Sequence, residues 1–280
     1  MKLGYCTWGM PTVPIDTIVP FLAETGFDSL ELTVIPGYTM ELYSMDGAER
    51  KRVLQLIQDY GLELPAVTGN TSLVAQEPEI HALNFKRLRD TVDLCVEWTL
   101  GDQPPVLDTT SGGKPEEWET VKSMLVDRLG ELVEYGAARG VVIAMEPHYD
   151  AAVSTPERML ELINLINSPY LKVNFDISHF NIQGYSITES VELMVPVAVH
   201  AHVRDERGQV PNFEFLIPGE GDFDYVFYLR EMARLGYRGH VTVEISLMIQ
   251  KLYDYDSLAA AKQTYAVMAR AFAEAGISRN

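Results

Sequence analysis

The sequence predicts an α/β protein that folds as one (β/α)8 barrel domain over residues 1–280. Short β-branched segments alternate with longer amphipathic segments, and strict alternation is typical of a parallel sheet covered by helices. Eight such couplets, about 35 residues each, favour a closed barrel over an open sheet. A doubly wound sheet would carry a glycine-rich turn after its first strand, whereas residues 7–13 contain a single glycine, Gly9. No linker or low-complexity tract divides the chain.

The strands are predicted from short runs that are rich in apolar and β-branched residues. The fifth run reads VVIAME, a nearly continuous apolar segment of the kind found in strands that are buried on both faces. In chain order, the eight predicted strands are residues 2–6, 29–34, 62–67, 105–109, 141–146, 171–176, 197–203 and 240–245.

The helices are predicted from amphipathic periodicity and from the residues that begin and end them. Gly26 and Gly236 follow the first and seventh helical segments and are typical stops. Residues 154–157 (STPE) offer an N-cap, an early proline and an early acid, and Asp222 is predicted to cap the seventh helix. The predicted helices are residues 15–25, 47–60, 77–98, 115–139, a fifth from 154, a sixth from 188, 222–235 and 256–275.

The composition limits the partners and the compartment that we expect. The 40 acidic and 22 basic residues give a formal net charge of −18, which repels nucleic acid and anionic membranes. The N-terminus lacks the apolar block of a secretory signal, and no stretch approaches the roughly 18 uncharged apolar residues that span a bilayer. Cys6 and Cys95 match no disulfide or zinc spacing and are predicted to be reduced thiols. We therefore expect a soluble cytoplasmic protein without nucleic-acid or membrane partners; a homo-oligomer is left open.

Metal-capable side chains fall at the ends of four consecutive predicted strands. Side chains at the C-terminal ends of barrel strands point into a common mouth, so we expect these four to converge. Three carboxylates would repel one another without a cation, whereas three oxygens and one imidazole suit a divalent ion. The sequence therefore predicts one ion, with Mn²⁺ expected first and Mg²⁺, Co²⁺ or Zn²⁺ as alternatives. The predicted ligands are Glu146, Asp176, His202 and Glu244.

Three further residues near this mouth are predicted to contact a substrate. His148 lies just past the fifth strand in EPHYD, and His179 lies three residues beyond Asp176 in NFDISHF. Strand alternation turns Arg204 inward, on the same side as the preceding ligand. Its guanidinium either binds a substrate hydroxyl or carboxylate, or neutralises Asp205.

Two more polar residues are predicted to lie inside the barrel. Glu31 faces inward by alternation with Leu30 and Leu32, and it either hydrogen-bonds within the mouth as part of the site or is a buried acid paired with a mouth residue. His200 points inward one layer deeper than His202 and is expected to be a packed, hydrogen-bonded residue that supports the site.

The motifs that contain these residues resemble those of a known family. The chain is similar to the xylose isomerase-like TIM barrel superfamily, the sugar phosphate isomerase/epimerase group that includes endonuclease IV and is also called AP endonuclease family 2. Order, spacing and strand position agree across the second half, and the first half agrees in architecture. The motifs are MEPH with Glu146, FDISHF with Asp176 and His179, HAHVRD with His202, PGEGDFD, and VTVEIS with Glu244.

This resemblance implies a metal-dependent sugar isomerase or epimerase that acts on a ketose or keto-sugar derivative. In such enzymes a proton moves through a metal-bound enediolate, and Glu146 and Glu244 would be the pair of carboxylates that moves it. His179, Arg204 and His148 would hold substrate oxygens. The ketose 3-epimerases of the group carry an asparagine–arginine–aromatic–glutamate run after the first ligand, and this chain has residues 148–151 (HYDA) instead. This departure counts against a free-ketose 3-epimerase, whereas a sugar isomerase, another epimerase or a related dehydratase stays open.

Three alternatives stay open at this point. A lyase or dehydratase on a keto-sugar or dehydroshikimate-like acid uses the same chemistry. DNA repair of the endonuclease IV type would need several histidines beyond the six present, and it conflicts with the net charge of −18. A non-catalytic sugar-binding barrel would have no need of an intact four-ligand set.

Overall fold

The computed structural model describes residues 1–279, and its central feature is a closed barrel of eight parallel strands, which confirms the predicted fold. The barrel strands are β1 (Lys2–Cys6), β2 (Ser29–Thr33), β3 (Ala66–Thr68), β4 (Val106–Thr110), β5 (Ile143–Glu146), β6 (Leu171–Asp176), β7 (Ala198–Val203) and β10 (His240–Val243). Strand β1 pairs with β10, so the sheet has no free edge. The third strand is shorter than predicted because Pro65 cannot donate a ladder hydrogen bond.

An outer ring of helices covers the barrel. As predicted, Gly26 takes a left-handed conformation, with φ of 107°, after the first helix, and the side chain of Thr155 caps the fifth helical segment. The ring helices are α1 (Ile15–Thr25), α2 (Gly47–Asp59), α3 (Pro78–Glu97), α4 (Trp118–Ala137), α5 (Pro156–Ile166), α7 (Ile187–Met194), α8 (Tyr225–Arg234) and α10 (Ser257–Ala275). Two single-turn helices, α6 (Ser178–Asn181) and α9 (Leu247–Gln250), follow β6 and β10.

An antiparallel hairpin that the sequence analysis did not predict stands between β7 and α8. Its strands are β8 (Asp205–Gln209) and β9 (Asn212–Leu216). Gly208 has a φ of 78° near the turn, and a Cβ atom there would lie 2.4 Å from the carbonyl oxygen of Asn212. The sequence of β8, DERGQ, is too short and polar to show a strand pattern.

The predicted cap of α8 is wrong by two residues. Asp224, and not Asp222, accepts a hydrogen bond from the backbone N–H of Phe227 at 2.9 Å. Asp222 is tied to the hairpin instead, because its backbone N–H donates to the carbonyl of Glu206 at 3.0 Å. Its carboxylate lies 3.3 Å from Nε of Arg207.

The barrel strands alternate between an outer apolar face and an inner face that is largely polar. Leu30 and Leu32 pack into the apolar cluster between strands and helices, whereas Glu31 between them lies inside the barrel. Small apolar residues, Ala66, Val106 and Ala144, form a separate cluster inside the barrel. The inner face therefore places polar side chains in a buried position below the mouth.

Two further observations concern the composition. Cys6 and Cys95 are both free and both buried. Among residues 1–279, no helix combines the length and the apolar character that crossing a membrane requires.

Candidate metal centre and active-site cavity

Four metal-capable side chains converge at the carboxyl ends of neighbouring barrel strands. Each offers one ligand atom, these atoms all lie within 4.8 Å of one another, and all four residues are buried. The pairing of β6 with β7 places Asp176 opposite His202, which explains part of this convergence. The structure thus brings together the whole predicted ligand set: Glu146 at the end of β5, Asp176 at the end of β6, His202 in β7 and Glu244 directly after β10.

Arg204 lies within this cluster and pairs with two of its carboxylates. Its Nη2 group donates to Asp176 and to Glu244, and the residue is 3% exposed. Burial acts to raise the pKa of Asp176, but Arg204 and two histidines outweigh burial and hold that pKa below its usual range. For Glu244 burial dominates and raises the pKa to about 7 despite Arg204. The alternative that Arg204 neutralises Asp205 is wrong, because Asp205 instead accepts backbone N–H groups of the hairpin and the following turn.

Two side chains of the cluster are held by further polar groups. The backbone N–H and the hydroxyl of Ser178 donate to Oδ1 of Asp176, at 2.9 and 2.6 Å. His202 lies between two carboxylates, with Nε2 2.6 Å from Glu31 and Nδ1 3.1 Å from Glu146. The role of Ser178 was missed, although an aspartate that accepts the N–H two residues ahead is a local turn pattern.

A cavity of about 580 Å³ opens above the cluster at the barrel mouth. Glu146 and Glu244 line this cavity together with Arg204. Asp176 and His202 are 0% exposed and are not part of its wall. The four clustered residues therefore divide into two that a bound small molecule can reach and two that lie beneath it. Other wall residues are Trp8, Asn70, Thr110, His148, Phe215 and Leu247.

The two predicted substrate-contacting histidines lie at different depths. His148 lines the cavity and its Nδ1 pairs with Asp150. Burial acts to lower the pKa of His148, but the hydrogen bond with Asp150 and nearby carboxylates outweigh burial and raise it. His179 is fully buried one layer behind, with its ring centroid 3.7 Å from that of His148 and its Nε2 3.6 Å from Asp176. Among the described residues, neither ring nitrogen of His179 has a hydrogen-bond partner.

The hairpin supplies an aromatic wall on one side of the mouth. The guanidinium of Arg204 lies 4.9 Å from the ring centroid of Phe215, and Phe213 lies 5.1 Å from Tyr149. Phe213 and Phe215 also contact each other edge to face, 5.1 Å apart. Neither phenylalanine was predicted from the sequence, in which the i, i+2 spacing in NFEFL was the available signal.

The clustered residues fit a divalent cation. Buried carboxylates close together require protonation or a compensating cation. Among the described residues, the three carboxylates of the cluster pair with one permanent cation, Arg204, and with the imidazoles of His202 and His179. Ligand atoms around one ion, each bound at about 2.0–2.2 Å, lie roughly 3 Å apart, which is within the spread of this cluster. The buried Glu/Asp/His group is therefore a candidate divalent metal site. Its donor set does not choose among Mn²⁺, Mg²⁺, Co²⁺ and Zn²⁺.

Comparison with known proteins adds a family and a group of distant relatives. The sequence model of the family described as xylose isomerase-like TIM barrel matches residues 19–270. A fructoselysine 3-epimerase from Shigella flexneri is 22% identical over 258 residues, which cover 89% of this chain and 91% of the relative. A 3-dehydroshikimate dehydratase from Bacillus anthracis is 21% identical over 273 residues, which cover 88% of this chain and 94% of the relative.

Solved structures share the fold over nearly the whole chain. A crystal structure described as the IOLI protein with a bound zinc atom superposes with a TM-score of 0.78 at 20% sequence identity. The match covers 97% of this chain and 99% of that one. At this identity, the likeness shows the barrel architecture.

Proposed function

Because the chain belongs to the xylose isomerase-like TIM barrel family, we propose that it is a divalent-metal-dependent isomerase or epimerase that acts on a ketose or keto-sugar derivative by proton transfer. One observation carries this proposal: two carboxylates of the buried cluster, those of Glu146 and Glu244, line the cavity, while the other two cluster residues lie beneath it. Proton transfer to and from a substrate carbon needs groups that the substrate can reach.

The four clustered residues would hold one divalent ion, with Mn²⁺ expected first and Mg²⁺, Co²⁺ or Zn²⁺ as alternatives. A bound cation supplies stabilisation of the negative charge that develops on substrate oxygens when a carbon loses its proton. Asp176 and His202 would serve only as metal ligands and not in proton transfer, because the cavity does not reach them.

In the proposed reaction, Glu146 or Glu244 takes the proton from the carbon next to the substrate carbonyl. The electron pair of the broken C–H bond moves to the carbonyl, which gives an enediolate. Return of the proton to the neighbouring carbon, with transfer of a hydroxyl proton from one oxygen to the other, produces an isomer. Return to the opposite face of the same carbon produces an epimer. His148 and Arg204 line the same cavity and would hold substrate oxygens. His179 is fully buried behind His148 and outside the cavity wall, so the predicted contact of His179 with substrate would require the ring of His148 to move.

A dehydratase on a keto-sugar or dehydroshikimate-like acid is the second candidate. It is favoured by the likeness to a 3-dehydroshikimate dehydratase, whose identity and coverage nearly equal those of the epimerase relative. The first step is the same, since a carboxylate removes a proton next to a carbonyl. The two candidates then differ, because a dehydratase expels a hydroxyl group as water and leaves a carbon–carbon double bond.

Deuterium incorporation separates these candidates. Metal-reconstituted protein would be incubated in D2O with a panel of ketoses, keto-sugar derivatives and keto-acids, and the products analysed by NMR. We expect one compound to be isomerised or epimerised with deuterium at the reacting carbon; partial labelling is sufficient, because a shielded proton can return. A dehydrated, conjugated product would favour the second candidate. Complete retention of the substrate hydrogen in an isomerised product would favour a hydride shift over proton transfer by the two carboxylates.

The metal is tested separately by elemental analysis of reconstituted, desalted protein. We expect about one equivalent of divalent ion per chain in wild type, and its loss in Asp176→Ala and His202→Ala, since each removes a ligand that no neighbour replaces. Wild-type protein without a stoichiometric ion would overturn the proposed centre.

A further inference from the structure

Glu31 lies directly beneath the candidate metal centre, on a strand in the half of the barrel that supplies none of the proposed ligands. It is 0% exposed, and its carboxylate accepts three side-chain hydrogen bonds. Oε2 accepts from Nε2 of His202 at 2.6 Å and from Nε2 of His200 at 2.9 Å, and Oε1 accepts from the hydroxyl of Thr68 at 2.5 Å. A buried carboxylate with this many donors is an ionised acceptor.

Both ring nitrogens of His202 face carboxylates, Nε2 that of Glu31 at 2.6 Å and Nδ1 that of Glu146 at 3.1 Å. A carboxylate can bond to Nε2 only if that nitrogen donates, so Nε2 is protonated. Nδ1 faces the cluster, and an ion bound there would replace its proton, while Glu31 would keep the proton on Nε2. Asn174 lies at similar distances from both ring nitrogens, 3.2 and 3.4 Å, so it does not distinguish between them.

We propose that Glu31 is a positioning residue that holds His202 with Nε2 protonated and Nδ1 turned toward the metal, and thereby strengthens metal binding. The inference rests on the proposed metal centre. Carboxylates that accept the second N–H of a ligating histidine fix its tautomer and orientation and raise its basicity. Nothing in the local sequence around Glu31 indicates this role, because its partner is 171 residues away.

A second ion held by Cys6, Glu31 and His202 is the competing explanation, since their ligand atoms also lie within 4.8 Å of one another. The hydrogen bonds oppose it. Oε2 of Glu31 is already taken by two imidazoles, and the thiol of Cys6 pairs with the hydroxyls of Thr33 and Thr68 at 3.6 and 3.9 Å. An ion there would also require His202 to lose the proton on Nε2 while Nδ1 serves the upper site.

The test compares the affinity for Zn²⁺ alone and for Mn²⁺ alone, by competition with a chelating dye, in wild type, Glu31→Gln and Glu63→Gln. In Glu31→Gln we expect affinity to fall by about 10–100-fold, as is typical when such an outer carboxylate is lost. Glu63→Gln is the matched control, because Glu63 also pairs with a histidine Nε2, that of His240 at 2.8 Å, but neither residue belongs to the cluster. We expect it to bind both ions like wild type.

Histidine ¹⁵N NMR of the zinc-loaded wild type tests the same inference without a substitution at Glu31. We expect His202, assigned by its absence in His202→Gln, to show a metal-bound Nδ1 and a protonated Nε2. Zinc on Nε2, a second equivalent of zinc that depends on Cys6, or wild-type affinity in folded Glu31→Gln would overturn the role of Glu31. Failure of wild type to bind any ion would overturn the proposed centre itself, so the two failures are distinguishable.

Discussion

At the scale of single residues, Glu146 and Glu244 are set apart from the other clustered side chains by their access to the cavity. Glutamine at either position keeps the size and one ligating oxygen but removes the basic carboxylate. We expect Glu146→Gln and Glu244→Gln to bind metal more weakly and to lose turnover by at least the ~10²–10⁴-fold typical of lost acid–base catalysis. Turnover measured at saturating metal separates the two effects. Full activity in both variants would remove these residues from the proton path.

A second prediction at this scale concerns Glu206, which is 6% exposed at the base of the hairpin. Oε1 accepts a hydrogen bond from Asn181 at 3.1 Å, while Oε2 has no partner among the described residues. Burial is the main cause that raises the pKa of Glu206 to about 8, and the nearby carboxylates of Asp176 and Asp205 add to it. The folded protein therefore keeps a proton that the unfolded chain loses above its ordinary pKa of 4.5. Since the folded state binds more protons in this window, stability falls as pH rises from about 4.5 to 8.

Glu206→Gln removes this pH-dependent loss of stability. We expect the melting temperature of the variant, relative to that of wild type, to rise as the pH is raised from 5 to 8.5. Each kcal/mol of difference in the free energy of unfolding corresponds to about 2–4 °C. Glu214→Gln on the same hairpin is the control, because its side chain is 67% exposed. A constant difference between Glu206→Gln and wild type across this range would contradict the assignment of a buried neutral acid.

At the scale of secondary-structure elements, the hairpin links the barrel to the cavity wall, because it begins directly after Arg204 and carries Phe215. Gly208 permits its turn, since a Cβ atom there would clash with a backbone oxygen of Asn212 and φ is positive. We expect Gly208→Ala to distort the hairpin and raise KM for the substrate several-fold, while metal stoichiometry stays at the wild-type value.

The control for this prediction is Gly61→Ala, which is remote from the cavity. Gly61 also has a positive φ, 67°, but nothing lies within 4 Å of a Cβ atom there. We expect this variant to lose about 1 kcal/mol of stability and to keep the wild-type KM. Equal KM values in the two variants would show that the hairpin does not shape the substrate site.

At the scale of the whole molecule, the net charge predicts that this chain does not process nucleic acid. A formal net charge of −18 opposes approach to a polyanion, and the metal cluster contains a single histidine. We expect neither binding nor incision of duplex DNA containing an abasic site at physiological salt, with Mn²⁺ or Zn²⁺ present. Metal-dependent incision of this DNA in a gel assay would contradict the proposed sugar substrate and favour DNA as the substrate.

Much of the fold and of the candidate site was predictable from the sequence. Strand and helix periods are local, so the alternation predicted the closed barrel, and the polar residues at successive strand ends predicted which four side chains would converge. Errors occurred where local patterns are weak. β3 is shorter than predicted, β8 and β9 were missed, and the cap of α8 is Asp224 because Asp222 is bound to the hairpin.

The sequence by itself thus determined the fold, the family and the set of candidate ligands. Only the tertiary structure decided what those residues contact: Arg204 pairs with Asp176 and Glu244 and not with the adjacent Asp205, and Glu31 reaches His202 across the barrel. The tertiary structure also decided which carboxylates line the cavity, namely those of Glu146 and Glu244. The physical reason is that alternation sets the face of a side chain, whereas closure of the sheet sets its partners and depth.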